Sequence, residues 1–336
     1  MAPPRDKKPV PSIEIHRYPG LSPKAYEHPA DRAATKALGA IPGLDAVVRQ
    51  LIELGYERAM FQSDLAGSVR LGPTQLPDVW SRWEEVCNGL DLGGGERATP
   101  TLYVTQMPAA NAFAVGSKHP YCILTSGLVN ITDPGEKAAV LAHEAAHMLS
   151  DHTLYRTILR ILLSLGSTVI PLAGIPLFAI RLALLEWFRA SELTCDRAAA
   201  LVLQNPETVC RTLMVLGGGL PSNQLNADAF MAQAAEYEDW DDGPDRIRRF
   251  LGQLSMTHSL PVRRAGELMR WIGSGDYDRI VRGDYPTTDR EPGVGEVSAD
   301  AVSFYADRFR SIFNSAGESV STMGRRFADW ARGGDE

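Results

Sequence analysis

The sequence is short of the residues that would commit it to several common architectures. Its four cysteines, Cys87, Cys122, Cys195 and Cys210, contain no C-x-x-C pair. They are too few for a disulfide scaffold and read as small buried hydrophobes in a reducing compartment. Basic charge is not in excess: Lys+Arg 34 against Asp+Glu 41 leaves a net charge of -7. That argues against sequence-independent binding to nucleic acid, which needs a basic surface to neutralise phosphates. The N-terminal stretch MAPPRDKKPVPSIEIHRYPG lacks an apolar run that could serve as a signal-peptide core, so a cytoplasmic location is the expectation. Internal repeats are also lacking. What remains is an ordinary globular composition, 44% hydrophobic and 22% charged, in 336 residues, enough for one large core or two modest ones.

Six prolines within residues 1–28 predict an extended arm. Helical spacing from Asp31 to Leu65, interrupted at Gly39–Gly43, predicts two helices, followed by a short strand at Ser68–Leu71 and a helix from about Pro77 to Leu90. The run Asp91-Leu92-Gly93-Gly94-Gly95 marks a boundary. Beyond it, Thr101–Thr105, Ala112–Val115 and Tyr121–Thr125 are short β-rich runs that suggest a small antiparallel sheet. Asp133-Pro134-Gly135-Glu136 is a helix start, with Asp133 as N-cap. The helix it opens is expected to run on through LAHEAAHMLSDHTLYRTILRILL, with further helices at 177–204, 206–217, 226–237 and 261–272. The expected fold is α+β and predominantly helical. Its parts are an N-terminal arm and helical region (1–95), a catalytic domain (96–285) and a linker with an amphipathic C-terminal helix (286–336).

The chemistry lies in His143-Glu144-Ala145-Ala146-His147, an H-E-x-x-H motif. Residues four apart on a helix stand about 40° apart around its axis, so both imidazoles can bind one Zn²⁺. Glu144 is placed to reach a zinc-bound water rather than the metal. A catalytic zinc needs a third protein ligand. Downstream, Glu192 and Asp196 share a helical face; Glu192 can ligate, and Asp196 can hydrogen-bond the outer nitrogen of a ligand histidine. For these two alone, a surface acidic pair is the plainer reading.

These residues resemble the HtpX and CAAX-prenyl-protease type of zinc metallopeptidase, peptidase family 48 within the gluzincins. H-E-A-A-H is similar to that family's zinc helix and E-L-T-C-D to its E-x-x-x-D ligand helix. Asn111-Ala112-Phe113-Ala114, followed by Leu124-Thr125-Ser126-Gly127-Leu128, is similar to its N-A-F-A … T-x-G-L segment, where a strand beside the cleft pairs with substrate backbone. Thr257-His258 and Arg264 resemble its T-H-P-x-x-x-x-R element, with Ser259 in place of proline. The resemblance covers about residues 100–285. It implies a zincin-like domain and a zinc endopeptidase (EC 3.4.24.-) with one zinc per chain, held by His143, His147 and Glu192. Glu144 is then the base, Asp196 the outer-shell partner, Asn111–Ala114 the substrate strand and His258 the candidate oxyanion donor, unless His258 only caps a helix or fills the core. His16, His28, His119 and His152 lack partners at ligand spacing; on a continuous helix His152 points away from the zinc face.

Ile161–Ile180 is a 20-residue stretch without charge. A simple membrane span of about 30 Å would put His147 and Glu192 on opposite sides of the bilayer, so a helical hairpin (155–190) that turns near Gly166, Pro171, Gly174 and Pro176 is expected instead. Its apolar tip can be buried in protein or dip peripherally into a membrane with Arg160 and Arg181 at its neck. Val302 to Trp330 carries the apolar seam of an amphipathic helix suited to packing on the body, to self-association or to a membrane surface. The partner expected from the motifs is a protein or peptide substrate. The competing class is a latent or non-proteolytic zinc-stabilised scaffold that binds membrane or protein partners; the intact Glu144 argues against it.

Overall fold

The computed structural model describes residues 14–41, 43–93, 98–164, 177–239 and 260–288. From Glu14 the described part of the arm is a strap along the body. His16 N–H donates to the Val202 carbonyl (2.8 Å) and Tyr18 N–H to that of Gly89 (3.1 Å), which ties the strap to the main body. Three helices follow rather than two: α1 (Pro29–Gly39), α2 (Leu44–Glu53) and α3 (Tyr56–Gly67). Gly55, at φ 75°, turns the chain between the last two, a conformation that favours glycine.

Strand β1 (Ser68–Arg70) and helix α4 (Pro77–Gly89) precede β2 (Thr101–Thr105), β3 (Ala112–Val115), β4 (Tyr121–Thr125) and the short α5 (Ser126–Ile131). The sheet order is β1-β2-β4-β3. The antiparallel expectation holds for β1–β2 and β3–β4, but β2 and β4 run parallel, so the sheet is mixed. The connection after β2 carries the chain past the β4 position, and the β3–β4 hairpin then folds back to fill it. β1 and α4, which precede the Asp91–Gly95 break, share this sheet and its core with the elements after it.

Helices α6 (Pro134–Leu149), α7 (Thr153–Ser164), α8 (Leu177–Leu203), α9 (Pro206–Gly218), α10 (Ala227–Asp239), α11 (Pro261–Gly273) and α12 (Asp276–Val281) complete the described fold. The helix expected to continue unbroken from Asp133 ends at Leu149. Asp151 takes a left-handed conformation (φ 56°), which reverses the chain before α7. Among the described residues a small apolar cluster of Tyr103, Val115, Tyr121 and Ile123 lies on the sheet, beside two large ones. The larger joins α4, the sheet, α6, the second half of α8, α9 and α11 around Trp83, Leu102 and Leu141. The other packs Ile158–Leu162 of α7 and Ala179–Phe188 of α8 against Leu38, Val47 and Leu51 of α1 and α2.

The flanks of the apolar hairpin are therefore buried in protein, and its tip (165–176) lies outside the described residues. Arg160, at its neck, makes two 2.6 Å hydrogen bonds to Asp64 of α3. Among the described residues no helix is long and apolar enough to cross a membrane. His258 and the seam at 302–330 also lie outside the described residues.

Candidate metal centre

Helix α6 starts on a closed capping box. Asp133 accepts from the Glu136 N–H and Glu136 from the Asp133 N–H, both at 2.8 Å, with Pro134 in the first turn. Arg211 of α9 ties down both carboxylates, at 3.1 and 3.2 Å. This fixed start sets the rotation of the helix, and His143, Glu144 and His147 all end up buried. Opposite them α8 presents Glu192 and Asp196, and α11 inserts Arg264 between the two carboxylates.

Three donor atoms converge. His147 Nε2 lies 3.2 Å from His143 Nε2 and 3.1 Å from Glu192 Oε1, and His143 Nε2 lies 3.5 Å from the same oxygen. Donors bound to zinc at about 2.0–2.1 Å in a tetrahedron stand about 3.3–3.4 Å apart. The residues present therefore fit a zinc ion. His143, His147 and Cys195 form a looser group, with donor atoms within 4.8 Å of one another. Glu192 Oε1, at 3.1 and 3.5 Å from the two Nε2 atoms, matches the tetrahedral spacing directly and is the better third donor.

The surrounding bonds orient these donors. Asp196 Oδ1 lies 3.0 Å from His143 Nδ1, which leaves Nε2 of that ring facing the cluster when Nδ1 carries the proton. Arg264 donates to both Asp196 oxygens, at 2.8 and 2.6 Å, and to Glu192 Oε2 at 2.7 Å, so Oε1 of Glu192 is the oxygen turned to the imidazoles. Burial alone would raise the Glu192 carboxyl, but Arg264 and His143 hold it well below the usual carboxylate range. Asp196 is lowered in the same way, burial being outweighed by Arg264. Breaking one side of a buried ion pair costs about 3–5 kcal/mol, and here one guanidinium neutralises two carboxylates. His143 is pushed up to about 9: burial opposes the charged ring, but Glu192 and the Asp196 bond outweigh it. His147 goes the other way, well below its ordinary value, through burial and the nearby Arg156.

Glu144 sits beside the donors and is itself anchored. Its Oε2 accepts from the Ala114 N–H at 2.7 Å and from Arg156 at 3.0 Å; neither bond falls on Oε1. The outer edge of β3 is engaged along its length: the N–H groups of Ala112, Ala114 and Gly116 donate to Asn111 Oδ1, Glu144 Oε2 and Thr157 Oγ1. A recess of about 130 Å³ opens beside His143 and Glu144, walled by Leu128, Val140, Leu213, Leu216 and Pro261. A second, of about 150 Å³, lies beyond Asn111 and Arg156 among Phe113, Leu159 and Phe188.

The structure thus brings together His143, Glu144, His147, Glu192, Asp196 and Arg264, with Asn111–Ala114 alongside. It also recruits residues that spacing did not find. His152, expected off the zinc face, is buried with its Nδ1 3.1 Å from His147 Nδ1. Arg156 would stand about 18 Å further along a continuous helix from Glu144. The reversal at Asp151 brings both residues back onto the motif. Asp31, from the N-terminal region, lies 3.1 Å from His152 Nε2. The available signal was chemical: each ligand histidine needs a partner for its outer nitrogen, and Asp196 could serve only one.

A buried H-E-x-x-H helix facing a glutamate-bearing helix, beside a small sheet, defines a zincin-like metallopeptidase fold. The model for peptidase family M48 matches residues 78–272. The chain is 36% identical over 263 residues to the plastoglobule-localized metallopeptidase 48, chloroplastic, of Arabidopsis thaliana, a match covering 76% of this chain and 75% of that protein. It is 33% identical over 88 residues to a protease HtpX homolog of Tropheryma whipplei, covering 25% of this chain and 28% of that protein. With a protease HtpX homolog of Ralstonia nicotianae it shares 26% over 205 residues, 53% of this chain and 70% of that one. No solved structure matches. The chain belongs to peptidase family M48, a family of metallopeptidases, in agreement with the resemblance drawn from its motifs.

Proposed function

We propose that the chain is a zinc-dependent endopeptidase acting on extended segments of protein or peptide chains. His143, His147 and Glu192 would hold one zinc ion, and the convergence of their donor atoms at 3.1–3.5 Å is the observation that carries this reading. When bound, zinc supplies a Lewis acid that polarises the scissile carbonyl and lowers the pKa of a water towards about 7. Glu144 Oε1 takes the proton of the attacking water and returns it to the leaving amine, while Arg156 and the Ala114 N–H keep Oε2 fixed. Asp196 sets the tautomer of His143, and Arg264 aims Glu192. His258 is the candidate second donor to the oxyanion.

Substrate is aligned along β3. In a strand the N–H and C=O of one residue point to the same side, so the Ala112 and Ala114 carbonyls share the outer edge and can accept from a substrate backbone. The apolar recess next to His143 takes a hydrophobic side chain beside the scissile bond. A cytoplasmic location, with any peripheral lipid contact made by the stretch 161–180, completes this reading. The test is metal content and cleavage together. Purified protein is expected to carry one zinc per chain and to cut an unfolded protein. A chelator should abolish the cutting, and zinc should restore it. Retained cleavage after zinc removal would refute the proposal.

A second reading, the same enzyme held latent, draws on the engaged edge of β3, where Glu144 itself occupies the Ala114 N–H. Cleavage that begins only after residues 302–330 are deleted would favour it.

A further inference from the structure

We propose that the N-terminal helix α1 is a working part of the metal centre, with Asp31 and His152 acting as positioning residues for His147. The inference rests on the reading of His147 as a zinc ligand. His143 has Asp196 to fix its ring; the corresponding partner of His147 is an imidazole backed by a carboxylate. His147 Nδ1 lies 3.1 Å from His152 Nδ1, and His152 Nε2 lies 3.1 Å from Asp31 Oδ2.

With both rings neutral, the protons in this chain have one arrangement. A carboxylate only accepts, so His152 Nε2 must donate to Asp31. In a neutral ring that leaves His152 Nδ1 as a lone pair, able to take the Nδ1–H of His147. His147 Nε2 is then a lone pair as well, and it is the atom that faces His143 Nε2 and Glu192 Oε1 at 3.2 and 3.1 Å. Removing His152 would let His147 hold its proton on Nε2, where it blocks ligation.

The far end is built as firmly as the near one. Asp31 Oδ2 also accepts from Thr194 Oγ1 at 2.6 Å, and Thr35 Oγ1 donates to Oδ1 at 3.3 Å. Thr194 Oγ1 in turn accepts the His28 N–H at 3.0 Å. Trp187 meets the His152 ring edge-on at 5.6 Å, and Phe188 stacks on His147 at 6.2 Å. Asp31, His152 and His147 are all buried. The cluster spans α1, the turn after α6 and α8, so the arm that precedes the family-matched segment supplies part of the metal geometry.

The experiment compares zinc affinity, by competition with a chromophoric chelator, and the visible spectrum of the cobalt(II)-substituted protein. The full-length variants are His152→Phe, His152→Asn, Asp31→Asn and His147→Ala. His152→Phe keeps the ring packing but removes the acceptor; it is expected to weaken zinc binding about 10- to 100-fold and to shift the cobalt bands. His152→Asn returns an acceptor oxygen near the Nδ1 position and should recover affinity to within about threefold of wild type, with Asp31→Asn in between. Thermal melts of the metal-free proteins separate loss of fold from loss of metal. Wild-type affinity and an unshifted cobalt spectrum in His152→Phe would overturn the proposal. So would a folded His152→Asn that binds as poorly as His152→Phe. The underlying ligand reading fails separately, if wild type binds no zinc or His147→Ala binds it normally.

Discussion

His143 and His147 are chemically alike in sequence and opposite in the fold. The first is pushed up to about 9 by Glu192 and Asp196 against the cost of burial; the second is held well down by burial and Arg156. In the metal-free centre the additional proton, the one that makes an imidazole cationic, therefore belongs on His143 rather than His147. At ordinary values near 6.5 a histidine in the unfolded chain has lost its proton by neutral pH. The stability that protonated His143 gives the metal-free fold is thus full below about 6.5 and lost as pH rises towards 9. Zinc must displace that proton, so its affinity should climb about tenfold per pH unit between 6.5 and 9 and then level off. Calorimetry at pH 7 in buffers of different ionisation enthalpy should count one proton from His143 plus the fraction lost by the bound water per zinc; a count near zero would contradict the assignment. The residues that spacing could reveal were those that share a helix face, His143 with His147 and Glu192 with Asp196. His152, Arg156 and Asp31 were hidden because their approach depends on one left-handed residue, Asp151, and on a helix far away in sequence.

Among the elements, the β3–β4 hairpin and α5 show how the cleft wall is made. Capping signals, prolines and periodicity located the start of α6 and the bounds of α8 to α11 within a few residues, since each signal is local, but they missed the break after Leu149 and the short helices α5 and α12. The place of β4 between β2 and β3 was not legible, because pairing partners and direction are set by the whole sheet. Gly127 marks where the chain must cross itself: a Cβ there would stand 2.1 Å from the Pro108 carbonyl oxygen. Thr125 Oγ1 fastens the same crossing by donating to Ala109 and accepting from the Asn111 N–H. Gly127→Ala should therefore displace the loop that leads into Asn111, destabilising the fold by about 1–3 kcal/mol or more and lowering peptidase activity along with it. An unchanged denaturation midpoint would show that the loop yields freely.

In the molecule as a whole, two apolar cores share α8. Its second half closes the catalytic core, and its first half packs with α7 on the N-terminal helices. Glu192 and Asp196 thus sit on the element that joins the region matched by the family to the arm in front of it. The break at Asp91–Gly95 looked like a division between these regions because glycine runs usually mark linkers. Here the strap, β1 and α4 pack across it. The measurement to make is a zinc-loaded digestion of a denatured-protein library, with new termini read by mass spectrometry, run beside Glu144→Gln at equal zinc content. New termini from the wild type, enriched in apolar residues on one side of the cut and absent with Glu144→Gln, are the expected result. Equal cleavage by both proteins would contradict the assignment of Glu144 as the base.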